Sequence, residues 1–357
     1  MPAQMARFAQ RGWCPSLYEP MATGDGLLVR VKPPHALLSS PATRALADAA
    51  ARFGNGVVEL TRRGNLQVRG LSASGVPGFA AAMVAAGLAD PDPVVERRRI
   101  VLPPPLAGDD PAAAPGALAL AEAIERMVPL HLPPKFCIAI DAGGVLAGSP
   151  AADIVIRLGG PGTPADTLAL VRGRLAAAIG KARGAVQPTR TPGSAIGFHP
   201  YAGGSHGAFG LGLAFGQTDP AGLRLLADLA DRFSGGAIRT SPWRAMLLGR
   251  VGVGGVPALQ RAAAGWVIDP ADPRLGITAC VGSPGCDRAT VPARADAAWL
   301  AAHGAGAPLH ISGCAKGCAY PGGPAFVGAA GRYSRVDNWR VGTTPTPQGL
   351  TLIEAAA

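Results

Sequence analysis

Four cysteines in the last quarter of the chain fall into two close pairs, and thiols in this number are typical of a metal site. The first pair is Cys280 and Cys286, in TACVGSPGCDRA, and the second is Cys314 and Cys318, in HISGCAKGCAYPG. Four thiolates brought together from two loops can hold an iron–sulfur cluster or a zinc ion. Glycines crowd both pairs, as expected where backbone passes close to a cluster without Cβ atoms in the way. The pattern predicts a metal centre carried by two loops.

The spacing of these cysteines favours a [4Fe–4S] cluster over zinc. Structural zinc sites usually pair their cysteines more closely than the five intervening residues of the first pair. Zinc and unligated core thiols remain as alternatives. Disulfides are disfavoured, because the opening segment MPAQMARFAQRGW lacks the apolar region of a secretion signal and predicts a reducing, cytoplasmic location.

The charge and the aromatic content of the chain indicate which kind of ligand it binds. The chain has 357 residues, 48% of them apolar, which is enough for several domains with a buried core. Its net charge is +10, and lysine supplies only four of its 33 basic residues, so arginine dominates. Arginine forks match carboxylates and phosphates, whereas nucleic-acid binders add stacking aromatics, which make up only 5% of this chain. We therefore expect a small polyanionic ligand, no nucleic acid and no membrane.

An internal repeat organises the elements that must position the site. Residues 39–56, SSPATRALADAAARFGNG, match residues 219–236, DPAGLRLLADLADRFSGG, without a gap. Each copy reads as a helix with an N-cap at Ser39 or Ser40 and at Asp219. One strand precedes each helix and two follow it, so that each copy is a β-α-β-β unit. Because a single unit leaves an open sheet edge, the two copies should pair into one larger sheet. The predicted strands are 27–31, 57–61 and 66–69 in the first copy, and 209–215, 237–241 and 245–248 in the second.

The segment between the copies has a different character. Strands are predicted at 136–140 and 154–158, and helices at 118–127 and 166–181. The predicted core of the repeat is made of apolar side chains on the inner faces of its helices and strands: Leu46, Phe53, Val57, Leu60, Leu226, Phe233 and Ile238.

Several motifs resemble those of the nitrite and sulfite reductase family. Besides the two cysteine pairs, TRRGNLQVRG at 61–70 is similar to its T-x-R-x-x-x-Q-x-x-G segment, RRIVLPPPLAG at 98–108 to its R-N-V-x-x-x-P-L-A-G segment, and LPPKF at 132–136 to its L-P-x-K-F segment. The resemblance implies an α+β fold in which duplicated ferredoxin-like half-domains form a pseudo-twofold sheet, joined to α/β domains typical of the family. It also implies a [4Fe–4S] cluster on Cys280, Cys286, Cys314 and Cys318, and the reductases of the family bind sirohaem beside it.

The repeat and the family resemblance together predict four domains. A first half-domain with the N-terminal segment covers 1–90 and a first α/β domain 91–200. A second half-domain covers 201–265, and a second, truncated α/β domain with the cysteine loops covers 266–357.

One branch of the family is indicated by the opening segment RGWCPSLYEPMATGDGLLVR, which resembles the precorrin-3B synthases. These are oxygen-dependent oxidoreductases of aerobic cobalamin synthesis, which hydroxylate precorrin-3A and form a lactone with one of its acetate side chains. The resemblance implies O₂, an external electron donor (a ferredoxin or a reductase) and a separate mononuclear iron. No histidine of the chain opens an H-x-D/E motif, so ligands for that iron are not assigned. No catalytic residue is assigned either.

One departure from the reductases points the same way. The reductases carry a second lysine two places after that of L-P-x-K-F, and it delivers protons to the bound oxyanion, whereas this chain has Cys137 there. A sirohaem-dependent nitrite or sulfite reductase remains the alternative function. Cys14, also in the opening segment, is read as structural.

Cations at family-like positions are the predicted partners of the macrocycle carboxylates. Of the neighbouring Arg62 and Arg63, at most one should reach the ligand, because adjacent side chains of an extended segment point to opposite faces. Arg239 and Arg244, in the second copy, flank Pro242–Trp243 and are expected to cover a pseudo-symmetric site; surface arginines beside a packed Trp are the alternative. The predicted substrate-binding residues are Arg30, Lys32, Arg63, Asn65, Gln67, Arg99 and Lys135.

Overall fold

A computed structural model describes residues 14–129, 132, 136–159, 167–173, 192–305 and 308–343. The chain forms two compact units, one made of Ala22–Leu27 and the chain from Ala271 onward, the other of Trp13–Met21 and Leu28–Pro270. Within the described residues, no helix has the length and apolar character needed to cross a membrane.

The first copy of the repeat follows the opening segment. A left-handed residue, His35, with a φ of 56°, turns the chain between the second and third strands. The Ser39 side chain caps the following helix by accepting from Ala42 N at 3.2 Å, as predicted. The elements are β1 (Met21–Thr23), β2 (Gly26–Val31), β3 (Leu37–Ser39), α1 (Ser40–Phe53), β4 (Val58–Leu60), β5 (Leu66–Leu71) and α2 (Val76–Ala85).

The segment between the copies builds a small parallel sheet. Its three strands lie in the order β6-β7-β8 and pack on α4 through Ile124, Ile138 and Ile154, all of them buried. Most of the predicted helix 166–181 lies outside the described residues, and residues 167–173 are helical. The elements are α3 (Pro93–Arg98), β6 (Val101–Leu102), α4 (Ala117–Met127), β7 (Ile138–Asp141) and β8 (Ile154–Arg157).

The second copy repeats the first at the offset of 180 residues. Phe215, the counterpart of His35, also has a positive φ, of 53°. This turn ends the preceding strand at Gly212, so the predicted strand 209–215 is placed too late. Asp219 caps the next helix as predicted, accepting from Gly222 N at 2.8 Å. The elements are β9 (Gly197–Pro200), β10 (His206–Gly212), β11 (Gln217–Thr218), α5 (Pro220–Phe233), β12 (Ala237–Thr240), β13 (Ala245–Gly252) and α6 (Val256–Ala262).

The two copies form two sheets, where the repeat had predicted one larger sheet. The first has the order β1-β2-β5-β4-β11 and the second β3-β12-β13-β10-β9. Each sheet therefore ends in a short strand from the other copy: β3 pairs with β12, and β11 pairs with β4, both antiparallel. This exchange covers the edge that each copy would otherwise leave open.

The helices α1 and α5 pack against each other, and their exposed faces carry a symmetric pair of salt bridges. Arg44 Nη2 lies 2.6 Å from Asp228 Oδ1, and Arg224 Nη2 lies 2.6 Å from Asp48 Oδ1, which are the same two positions exchanged between the copies. Of the predicted core, Leu46, Leu60, Leu226 and Ile238 are buried. The remaining three, Phe53, Val57 and Phe233, are only half-buried because they lie at the ends of their elements.

The other unit contains the cysteine pairs. Its four strands lie in the order β14-β15-β16-β17, with the first three parallel and the last antiparallel. The buried Tyr333, on β17, donates a hydrogen bond of 2.5 Å to Asp296 on α8 and so ties the helix to the sheet. The elements are α7 (Pro273–Gly276), β14 (Ile277–Ala279), α8 (Ala293–Ala302), β15 (Leu309–Ser312), β16 (Ala325–Ala329) and β17 (Arg332–Val336).

Candidate functional site

The two cysteine loops leave the same edge of their sheet. Cys280 directly follows β14, and Cys314 comes two residues after β15. Because these neighbouring strands are parallel, with Ala279 paired to Ile311, their carboxyl ends meet and bring the loops together. Cys280 N donates to Ile311 O at 3.0 Å, which fixes the start of the first loop against the second strand.

The backbone packs closely around the first thiol. Gly313 N donates to Cys280 Sγ at 3.0 Å, a contact that stabilises a thiolate. A Cβ on Gly313 would stand only 2.8 Å from Ala289 Cβ and 3.3 Å from the Cys280 sulfur. The glycine of the second loop is therefore required by close packing on the first.

Cys280 and Cys314 lie within electrostatic reach of each other and of the other two cysteines. Burial raises the pKa of Cys280, and the charges of Cys286 and Cys318 raise it further. Burial also raises the pKa of Cys314, with added contributions from the other three thiols. A set of four thiols, two loops and closely packed glycines suits an iron–sulfur cluster. As the side chains are placed, the described residues contain no group of three or more His, Cys, Asp and Glu side chains arranged to hold a metal ion, so the ligand assignment stays a prediction.

The predicted substrate residues gather in the other unit, around one cavity of about 470 Å³. Its size is within the range of small-molecule sites. Five of the seven predicted residues line it, namely Arg30, Lys32, Arg63, Asn65 and Arg99. Lys135 lies outside the described residues.

Gln67 does not line this cavity but supports a residue that does. Its Oε1 accepts from Arg30 Nε at 3.2 Å and from Arg30 Nη2 at 2.5 Å, while its Nε2 donates to Glu59 Oε2 at 2.9 Å. The buried Glu59 therefore sets which end of the amide faces Arg30. Arg69 is buried beside it, with Nη1 3.8 Å from Glu59 Oε2, and does not reach the cavity.

A tight turn presents Arg63 and Asn65. The Thr61 hydroxyl accepts from Arg63 N at 3.2 Å and from Asn65 N at 3.1 Å, and Gly64 between them has a φ of 65°. Arg62 is exposed and does not line the cavity, whereas Arg63 does. The two side chains differ because of the turn and not because of the alternation of an extended strand. That at most one of them reaches the ligand stays a prediction.

Arg99 and Lys32 are held by a buried acid and by the backbone. Arg99 Nη1 lies 2.5 Å from Glu96 Oε1 and donates to Lys32 O at 3.2 Å. Lys32 Nζ donates to the backbone oxygen of Glu96 at 3.0 Å. Burial lowers the pKa of Lys32 to about 8 and, more than any other cause, lowers that of Arg30.

Sequence reasoning missed several residues of this cavity. Arg97 and Arg98 line it beside Arg99, so the whole run RRR at 97–99 takes part, and that run was a usable signal. Cys14 also lines it and hydrogen-bonds Arg30, and Cys137 lines it from the start of β7 while only 1% exposed. The sequence had marked Cys14 as structural.

The pseudo-symmetric position in the second copy has lost this lining. The counterparts of Arg30, Lys32 and Gln67 are Gly210, Gly212 and Leu247. Backbone at Ala195 occupies the place where a side chain at position 210 would lie, since a Cβ on Gly210 would stand 1.6 Å from Ala195 O. The expectation that Arg239 covers a second site is wrong, because Arg239 is buried against Asp109, with Nε 2.9 Å from Oδ2.

Comparison with known proteins agrees with this architecture. Residues 19–86 and 199–265 match the model of the nitrite/sulfite reductase ferredoxin-like half domain, which confirms the duplication. The chain is 36% identical over 395 aligned positions to a precorrin-3B synthase from Sinorhizobium, covering 94% of this chain and 85% of that protein. This chain belongs to the precorrin-3B synthase family.

More distant relatives match only in part or in fold. A ferredoxin–nitrite reductase from Synechococcus elongatus is 29% identical over 141 residues, which is 37% of this chain and 27% of that protein. The structure of the Mycobacterium tuberculosis NirA protein superposes with a TM-score of 0.63 at 18% identity, covering 85% of this chain and 71% of that one. The likeness to NirA confirms the α+β fold of the precorrin-3B synthase family member described here.

Proposed function

We propose that the protein is an oxidoreductase that converts precorrin-3A to precorrin-3B, by oxygen-dependent hydroxylation and lactone formation in cobalamin biosynthesis. The observation that carries this proposal is the 36% identity to a precorrin-3B synthase over nearly the whole chain. The cationic cavity supports it, because an acidic tetrapyrrole requires several positive partners. We place the reaction in the cytoplasm.

The cavity offers the macrocycle five arginines and one lysine. Among the described residues that line it, Glu19 is the single acid; it lies 3.2 Å from Arg97, with more than half of its side chain exposed. Arg98 Nε is buried and has no hydrogen-bond partner in the described part of the chain. An orphaned guanidinium donor in a wall of arginines fits a carboxylate ligand. We propose that the cations of this wall, with Lys135, bind the carboxylates of precorrin-3A; they are Arg30, Lys32, Arg63, Arg97, Arg98 and Arg99.

Electrons reach the reaction through an iron–sulfur centre in this proposal. We assign a [4Fe–4S] cluster to Cys280, Cys286, Cys314 and Cys318; when bound, such a cluster transfers single electrons. The sequence has no glycine-rich dinucleotide motif, so the reducing equivalents come from a separate ferredoxin or reductase. A mononuclear iron, which the family resemblance implies, has no assigned ligands.

The decisive experiment supplies the purified protein with precorrin-3A, a reductant and isotopically labelled O₂, and follows the mass of the product. We expect one labelled oxygen atom to enter the macrocycle, and omission of the reductant to prevent it. Protein that carries sirohaem, reduces sulfite or nitrite and leaves precorrin-3A unchanged would instead establish the reductase alternative. Cys137 argues against that alternative, since it stands where the reductases carry their second lysine.

A further inference from the structure

The main cavity shares one wall with a second, smaller cavity of about 260 Å³. Lys32 lies on both, between the turn of Arg63 and the run that ends at Arg99. The residues common to both linings are Lys32, Arg63, Asn65, Arg98, Arg99, Val101 and Leu102. A group on this wall can therefore exchange protons with either cavity.

The smaller cavity differs from the main one in its titratable groups. His35 Nε2 lies 3.2 Å from Glu122 Oε1, and Arg126 Nη1 lies 3.6 Å from Glu122 Oε2. About half of the Glu122 side chain is exposed, so these groups lie at the solvent end. Glu125, one helical step away, is half-buried and accepts a hydrogen bond from Val101 N on the shared wall.

Lys32 is the cation of the shared wall whose charge can change near neutral pH. Burial lowers its pKa to about 8, and burial raises the pKa of Glu125 to about 7. The charged groups that act on Lys32 are Arg30 on its own strand, Glu96 and Arg99 in and after α3, and Glu125 on α4. Arginines keep their protons at all these pH values and cannot supply them.

We infer that the smaller cavity is the route by which protons enter the site, and that Lys32 passes them from the side of Glu125 into the main cavity. This inference rests on the proposed function. Transferring one atom of O₂ to the substrate and releasing the second as water consumes two electrons and two protons. The transferred atom becomes the hydroxyl group, and the acetate carboxyl group closes the lactone without further electrons. The external one-electron donor supplies the electrons. The reaction also needs a proton donor in the cavity wall, and the arginines of that wall do not release their protons.

In the alternative, Lys32 acts only as a fixed positive charge that binds a carboxylate, and passes no proton. Lys32→Arg separates the two roles, because arginine keeps the charge and does not release its proton. Glu125→Gln keeps the size of the side chain and removes only its titration, so it tests the route from the other end. Asp337→Asn is the matched control, since this exposed carboxylate lies outside both cavities.

The experiment measures, for wild type and each variant, precorrin-3A affinity by fluorescence quenching, product formed per O₂ consumed, and the pH profile of single turnover. We expect Lys32→Arg and Glu125→Gln to keep affinity within about threefold, to form less product per O₂, and to lower the single-turnover rate about a hundredfold, which is the lower end of the range for loss of a general acid. The wild-type rate should fall as the pH rises through about 8, as Lys32 loses its proton, and this limb should be absent in Lys32→Arg.

The possible failures are distinguishable. An active wild type whose two variants keep both its pH profile and its product yield per O₂ would overturn the inference and leave the proposed function intact. A loss of affinity with normal yield and an unchanged pH profile would show that Lys32 helps to bind the substrate without passing protons, and would overturn the inference as well. A wild type with no action on precorrin-3A would refute the proposed function together with the inference.

Discussion

Arg239 and Asp109 form a buried ion pair, with Nε and Oδ2 2.9 Å apart and both side chains about one-tenth exposed or less. Gly249 makes room for it, since a Cβ there would stand 2.9 Å from the Asp109 carboxyl carbon. In the first copy the counterpart of Arg239 is Glu59 and the counterpart of Gly249 is Arg69, and these two residues pair with each other. Both copies therefore keep an ion pair at this place. The acid Glu59 of the first copy is replaced by the base Arg239 in the second, and the acidic partner of Arg239 comes from the segment between the copies.

The first prediction concerns the stability that depends on this pair. Asp109→Asn should lower the free energy of unfolding by about 3 kcal/mol, because a buried guanidinium loses its counter-charge. Arg239 Nη1 is already without a partner in the described part of the chain, which leaves little compensation. Denaturant unfolding checks the value. The double variant Asp109→Leu with Arg239→Met should recover most of the loss, and a double variant as unstable as the single one would contradict the interpretation.

The second prediction concerns Gln67. Gln67→Met keeps the length of the side chain and removes the acceptor that orients Arg30. If the misplaced Arg30 loses one charge-assisted hydrogen bond to a substrate carboxylate, precorrin-3A binding should weaken by about 1.5 kcal/mol, or roughly tenfold. Fluorescence titration measures the affinity. Arg62→Gln, on the same turn but exposed, serves as the control; equal losses for both variants would show a general charge effect instead.

The third prediction concerns the four cysteines. Replacing any one of Cys280, Cys286, Cys314 and Cys318 by Ser should abolish the broad brown absorption and the EPR signal of the reduced protein, because a [4Fe–4S] cluster needs all four thiolates. Iron and sulfide analysis gives the same reading independently. Cys137→Ser should keep the full iron content. Two of the four variants with a complete cluster would disprove the assignment.

The fourth prediction concerns the pH dependence of stability. The pKa of Glu125 is raised from 4.5 to about 7, so between these values the folded protein binds a proton that the unfolded chain has released. Stability should therefore fall as the pH rises from about 4.5 to 7, by at most about 1.4 kcal/mol per pH unit from this one group. Glu125→Gln should remove this contribution. Unfolding curves at several pH values measure it, and an unchanged slope in the variant would place the titration elsewhere.

Much of the repeat was readable from the sequence because its signals are local. N-caps, helix periodicity and the 180-residue offset located both helices, and the capping residues Ser39 and Asp219 act as predicted. The end of β10 was placed three residues too late, because the left-handed position is held by Phe215, whose residue type extends the apolar pattern of the strand and does not signal a turn. The exchange of β3 and β11 was also missed, since pairing partners depend on contacts far apart in the sequence.

The candidate site was predictable where residue type and neighbouring motifs carried the information. Arg30, Arg63, Asn65 and Arg99 were named from motifs and lie on one cavity. The supporting role of Glu59 was not predictable, because a buried acid that orients an amide leaves no pattern in a single sequence. The same holds for the smaller cavity, whose lining comes from four separate segments of the chain.

The exchanged strands of the repeat bear on how such a fold can arise and fail. A single copy made alone would present the bare edge of its sheet and would carry a short strand with nowhere to pair. Two identical copies could satisfy each other by trading that strand, which is the geometry of a domain-swapped homodimer. The tandem chain makes the same trade within one molecule, where the partner is always present at high effective concentration. Once the partner is covalently attached, the copies no longer need to be alike, and one can keep a ligand cavity while the other fills its own with chain.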